Sequence, residues 1–145
     1  MNNPQQAICN LIYRYAELID NGDLEGVAEL FRNGEIAAPA EDSVVRGYDE
    51  VLAMYRAACR IYPDCGTPKT QHITTNVAVE VDGDSASARS RFTVFQALDD
   101  FPLQAIISGR YHDTFHLADG QWCFSRREMH VVLMGDCSRH LLYSP

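Results

Sequence analysis

The chain predicts an α+β fold: helices packed in a strongly curved antiparallel sheet, forming a cone with one open end. Two observations carry this. Apolar residues in the first 60 positions recur at helical spacing, and the remainder alternates like strands separated by turn residues. Helices segregated from a long meander of strands give that class. At 145 residues, the whole chain, 1–145, is expected to form a single domain.

Each element has its own signal. Ile8, Ile12, Tyr15 and Ile19 fall on one helical face, opened by Pro4 and stopped at Asn21-Gly22. Asp23 caps a second, short helix to Phe31, with Leu24, Val27 and Leu30 as its apolar stripe. Glu35 to Ala38 and Ser43 to Arg46 read as short strands around Pro39. A third helix runs from Tyr48 to Ile61 on Val51, Leu52, Tyr55 and Ala58. Pro63, Gly66 and Pro68 then mark a loop. Strands follow over Thr70 to Val81, Ser85 to Ala97, Phe101 to Leu117 and Gln121 to Met134, with turns at Asp82-Gly83-Asp84 and Ala118-Asp119-Gly120. If His72 faces the interior, then Ile73, Thr75, Val77, Val79 and Val81 face outward and call for a partner. A homodimer or homotrimer through the outer sheet face is the expectation.

Composition narrows the partners. A net charge of −8, from 20 acidic and 12 basic residues, argues against nucleic acid and anionic membrane. No apolar run is long enough to span a bilayer, and the opening Met-Asn-Asn-Pro-Gln-Gln lacks the pattern of a signal peptide. The 5 cysteines are odd in number and show no Cys-x-x-Cys spacing. Reduced thiols and a cytoplasmic location are expected.

Few residues suggest chemistry. Asp20 sits in the last turn of the first helix, where the helix dipole disfavours a carboxylate by about 0.3–1 kcal/mol. It is either a solvated residue entering the turn or a carboxylate aimed into the cone to orient a histidine. Tyr15 is a core tyrosine or a donor to a developing oxyanion. The two differ by about 140° around an ideal helix, so they share a cavity only where the helix is ending. His72 on a strand is structural, or a base whose second ring nitrogen is held by a carboxylate. Of Arg126 and Arg127, either alternation turns one inward, where it needs a carboxylate or a substrate anion, or both splay to solvent. His112 and His116 lie about 13 Å apart along a strand, too far to share one metal ion. No metal site is expected.

Four stretches carry a resemblance: Tyr13 to Phe31, Gln71-His72-Ile-Thr-Thr-Asn76, Gly109-Arg-Tyr-His-Asp113 and Asp119-Gly-Gln-Trp122-Cys-Phe124. In this order they resemble SnoaL-like proteins of the nuclear-transport-factor-type superfamily, whose fold is also called cystatin-like. The branch most resembled includes scytalone dehydratase, bile-acid dehydratase and hexachlorocyclohexane dehydrochlorinase. The resemblance implies an Asp–His pair acting as base without metal or organic cofactor. The family Asp falls on Asp20 and the His on His72. A functional tyrosine five residues before the Asp falls on Tyr15, and a last-strand arginine on Arg127. Pocket-lining positions fall on Ile19, Phe92, Ile107 and Tyr111, and Tyr55 is expected to line the same pocket. The aspartate base of ketosteroid isomerase would fall near Pro39, which is no carboxylate, and Ser85 to Ala97 lacks the second histidine of scytalone dehydratase. The expected function is a cofactor-independent, dehydratase-like lyase acting on a small hydrophobic cyclic hydroxy-carbonyl compound. An isomerase or polyketide cyclase with the same pair, and a noncatalytic binding or assembly module, are the alternatives.

Overall fold

A computed structural model describes residues 3–145; Met1 and Asn2, part of the opening stretch read for a signal, lie outside the described residues. Helix α1 spans Pro4–Asp20, capped by the Asn3 side chain accepting from the Gln6 N–H. Helix α2 (Leu24–Leu30) is capped by Asp23, which accepts from the Gly26 N–H. Strands β1 (Glu35–Ala38) and β2 (Ser43–Arg46) flank a single 3-10 turn at Pro39–Glu41, and helix α3 covers Gly47–Ala58. Four long strands follow: β3 (Thr70–Asp82), β4 (Ser85–Leu98), β5 (Phe101–Ala118) and β6 (Gln121–Met134). Helix α3 ends earlier than its apolar pattern suggests. Cys59 is extended and bridges to Leu141, so the chain's C-terminal segment takes over the space of a last helical turn.

All strands join one curved sheet in the order β2-β1-β6-β5-β4-β3. It is antiparallel except where β1 runs parallel to β6, with Ile36 beside Arg127. A purely antiparallel sheet was expected. The exception arises because the β1–β2 hairpin comes before the meander and docks on its last strand. Register shifts in β3, β4, β5 and β6 bend the strands, as bulges do, and close the sheet over the helices. Ile8, Ile12, Tyr15 and Ile19 of α1, Val27 and Phe31, and Val51 and Tyr55 of α3 fill the concave side.

One bulge overturns the outward valine row. Before it, His72 and Thr74 pair with the inward Val94 and Phe92 of β4. The register then slips between Thr75 and Ala78, where Asn76 adopts a φ of 55°. Beyond the slip, Val79 and Val81 pair with the inward Ala88 and Ala86. Val77, Val79 and Val81 therefore pack against the core on the same side as His72. Strict alternation across thirteen residues fails because a single inserted residue reverses the phase. The outer face instead carries Arg89, Arg91, Arg110, His112, Arg126, Glu128 and His130. A homodimer or homotrimer packed through that face has no valine row to bury.

Asn is one of the few side chains at ease in the left-handed conformation, and a β-branched residue is not. Replacing Asn76 by Val should lower the unfolding free energy in urea by about 1–2 kcal/mol, whereas Asn76→Gly should leave it nearly unchanged. Equal losses in both variants would remove the conformational explanation.

Candidate active site

Helix α1 ends at Asp20 because the next residues leave the helical path. The N–H of Gly22 bonds to Ile19 O and that of Asp23 to Leu18 O, while Gly22 sits at a φ of 74°. A Cβ on Gly22 would lie 2.0 Å from the Gly66 carbonyl oxygen, so only glycine permits this approach. The contact pins the 62–69 loop against the helix end and delivers Thr70, the start of β3, to the Asp20 carboxylate.

That carboxylate is held by three donors. Thr70 Oγ1 donates to Oδ1 at 2.9 Å, the His72 backbone N–H donates to Oδ2 at 2.7 Å, and His72 Nδ1 lies 2.7 Å from Oδ1. These bonds offset the unfavourable helix-terminal position of a negative charge. A carboxylate only accepts, so Nδ1 carries a ring proton, and in the neutral ring the lone pair is then on Nε2. Nε2 has no hydrogen-bond partner among the described residues, and the His72 side chain is 8% exposed. The pair borders an open groove of about 290 Å³ between α1 and β3, lined also by Tyr13, Ala16, Glu17, Gln71 and Thr74.

A second imidazole, absent from the sequence reading, stands beside it. The His140 ring centre is 6.3 Å from that of His72, at 73°. The C-terminal segment reaches this place through Arg60 N–H to His140 O, Tyr62 Oη to Arg139 O and Gln96 Nε2 to Arg139 O. His140 Nδ1 is buried without a partner, and burial, assisted by the nearby His72, pushes this imidazole down to a pKa of about 4. The sequence signal was weak: one histidine in a segment without periodicity.

The other expected site residues form a separate cluster inside the cone. Tyr15 and Tyr55 share a hydroxyl–hydroxyl hydrogen bond, Phe92 stacks on Tyr111 at 4.5 Å, and Tyr15 meets Tyr111 edge-on at 6.0 Å. Burial raises the pKa of all three tyrosines, so the phenols stay neutral donors. Arg127, fully buried, makes a bidentate pair with Asp113 at 2.9 Å on both arms, and its guanidinium carbon lies 3.6 Å from the Tyr111 ring centre and 4.4 Å from that of Tyr15. Burial works against this charge, but the Asp113 carboxylate more than compensates and holds it protonated. Its Nη1 has no partner among the described residues. Ile19 is buried on α1, and Ile107 lies half-buried between Val94 and Met134. The structure thus brings Asp20 and His72 together at a groove, and Tyr15, Tyr55, Phe92, Tyr111 and Arg127 together in the interior. The aromatic rings pack on one another where an open, dry cavity was expected.

The SnoaL-like domain profile matches residues 4–128, nearly the whole of this architecture and both clusters. The chain belongs to the SnoaL-like family. Among solved structures, this SnoaL-like protein is similar to Rv3472 of Mycobacterium tuberculosis, a protein of unknown function. The two are 28% identical over 90% of this chain and 73% of the other, with a TM-score of 0.73. It is also similar to an NTF2-like protein with a cystatin-like fold from Novosphingobium aromaticivorans. There the identity is 26% over 88% of this chain and 81% of that one, with a TM-score of 0.75. A proposed scytalone dehydratase from the same organism is 26% identical, with 92% of this chain and 87% of that chain covered and a TM-score of 0.71. No curated protein sequence matches the chain. No helix among the described residues is long and apolar enough to cross a membrane.

The His140 site has a pH consequence. Its pKa is lower in the folded than in the unfolded chain, so between about pH 6.5 and 4 the unfolded state binds more protons and stability falls with pH. From pH 7 to pH 5 this one group should remove about 2 kcal/mol. Urea titrations at both pH values should show a smaller loss for His140→Gln than for the wild type. An identical loss in both would place the imidazole in solvent.

Proposed function

We propose that this SnoaL-like protein is a cofactor-independent lyase, dehydratase-like, with the Asp20–His72 pair as its general base. The observation that carries the reading is the 2.7 Å contact between His72 Nδ1 and a carboxylate already fixed by two other donors, in a pair of residues that borders a groove. In this reading, Nε2 removes a proton from the carbon next to a carbonyl. The electron pair forms a carbon–carbon double bond, and the hydroxyl on the neighbouring carbon leaves as water, taking the abstracted proton back from the imidazolium and so restoring neutral His72. Asp20 stabilises the imidazolium meanwhile. General-base catalysis of this kind contributes about 10²–10⁴-fold.

Tyr15 and Arg127 are assigned to charge developing on the carbonyl oxygen. Support comes from a neutral phenol and a guanidinium, with an unpartnered Nη1, that lies over the ring of that phenol. A buried donor without a partner calls for an acceptor, which a ligand oxygen supplies. The aromatic lining of Tyr55, Phe92 and Tyr111, with Ile19 and Ile107, favours a small hydrophobic cyclic hydroxy-carbonyl compound. A proposed scytalone dehydratase among the similar structures is consistent with this class. An isomerase or cyclase would use the same first proton transfer. The mutual packing of the interior rings favours a second reading, a noncatalytic binding or assembly module.

The test is a panel of cyclic β-hydroxy ketones incubated with the protein, read by mass spectrometry for loss of water. Turnover should fall at least about 10²-fold in His72→Ala and in Asp20→Asn, and about 10²–10³-fold in Tyr15→Phe, with His72→Ala still folded by circular dichroism at the assay temperature. Ligands that stabilise the protein without being converted, equally in wild type and His72→Ala, would favour the noncatalytic reading.

A further inference from the structure

The outer sheet face, turned away from Asp20 and His72, holds a cluster of another kind. His112 on β5 stands directly opposite Glu128 on β6, and His130 follows two residues along the same face. One donor atom from each lies within 4.8 Å of the other two, the sole such trio of His, Cys, Asp or Glu found among the described residues. His130 Nε2 is 2.7 Å from Glu128 Oε1, and the His112 and His130 rings stand 5.3 Å apart at 59°, tilted rather than stacked. Two imidazoles and a carboxylate converging from neighbouring strands have the ligand chemistry of a zinc-type ion. Donors about 2.0–2.2 Å from such an ion sit roughly 3.3–3.5 Å from one another, so small side-chain rotations suffice. The sheet register supplies the preorganisation.

We propose that His112, Glu128 and His130 form a three-ligand site for a divalent late first-row cation, typified by Zn²⁺, with its fourth position open. The surroundings suit it. Arg126 is the cation closest to the carboxylate, its Nη2 3.4 Å from Glu128 Oε2, but its Nη1 is bound to Glu35 at 2.5 Å, so much of its charge is already neutralised. A recess of about 290 Å³ borders His112 and Glu128 and is lined also by Thr114 and Arg89. The open position takes water or a small anion there, favoured by the Arg89 charge. His116 is no part of the trio; its Nδ1 bonds to Ser125 Oγ at 2.6 Å. The expectation of no metal site weighed two histidines along one strand and not ligands paired across two.

The test is Zn²⁺ competition against a chromophoric chelator at neutral pH, with the full chain. One equivalent should bind, and His112→Ala, His130→Ala and Glu128→Gln should each weaken binding at least about 10-fold. His116→Ala and Cys65→Ser should leave it unchanged. These side chains are partly or wholly exposed, so metal-free thermal unfolding should be alike in all variants. A wild type that takes no Zn²⁺ from the chelator, or binding that survives replacement of both His112 and His130, would overturn the proposal.

Discussion

A carboxylate at the end of a helix is held by an imidazole and a backbone N–H from one strand residue, and the arrangement of this fold near the groove depends on that bond. Asp20 occupies the negative end of α1, a position that costs free energy unless donors meet it. Thr70 and His72 are those donors, and they arrive only because β3 begins where α1 stops. The stop in turn needs Gly22, whose missing side chain lets the Gly66 carbonyl approach. A chain of local necessities therefore joins a turn glycine to the protonation state of a histidine. The imidazole cannot rotate freely, and its tautomer is set by the carboxylate.

Inside the cone a second constraint operates. A buried arginine requires a buried partner, and Arg127 finds Asp113 on the adjacent strand, with aromatic rings above the guanidinium. Breaking such a pair from one side leaves a buried charge uncompensated, a loss of about 3–5 kcal/mol. This pair places a fixed positive charge beside neutral phenols in a region otherwise apolar. It also explains why the interior rings lie against one another: they cover a charge that water cannot reach.

Much of this was legible in the sequence, and the gaps have physical causes. The helix stripe of Ile8, Ile12, Tyr15 and Ile19, the Asp23 cap and the turn at Asp82-Gly83-Asp84 follow from local chemistry, and each element appears within a few residues of its expected place. Alternation turned one of Arg126 and Arg127 inward without saying which, and the buried one is Arg127. Alternation also misled. The bulge at Asn76 reverses the phase of β3, and nothing in Thr-Thr-Asn-Val marks an inserted residue. His140 was invisible because its position comes from hydrogen bonds of an irregular segment to distant residues. The His112–Glu128–His130 grouping required the β5–β6 register, which spacing along one strand does not contain.

The central claim is that Asp20 fixes His72 with its proton on Nδ1 and its lone pair on Nε2. Nitrogen-15 NMR of the neutral imidazoles reads this directly. The wild type should show a protonated Nδ1 and an unprotonated Nε2, and Asp20→Asn should shift the ring toward the Nε2–H form ordinarily favoured in water. A His72 ring already in that form in the wild type, or unchanged by Asp20→Asn, would contradict the account.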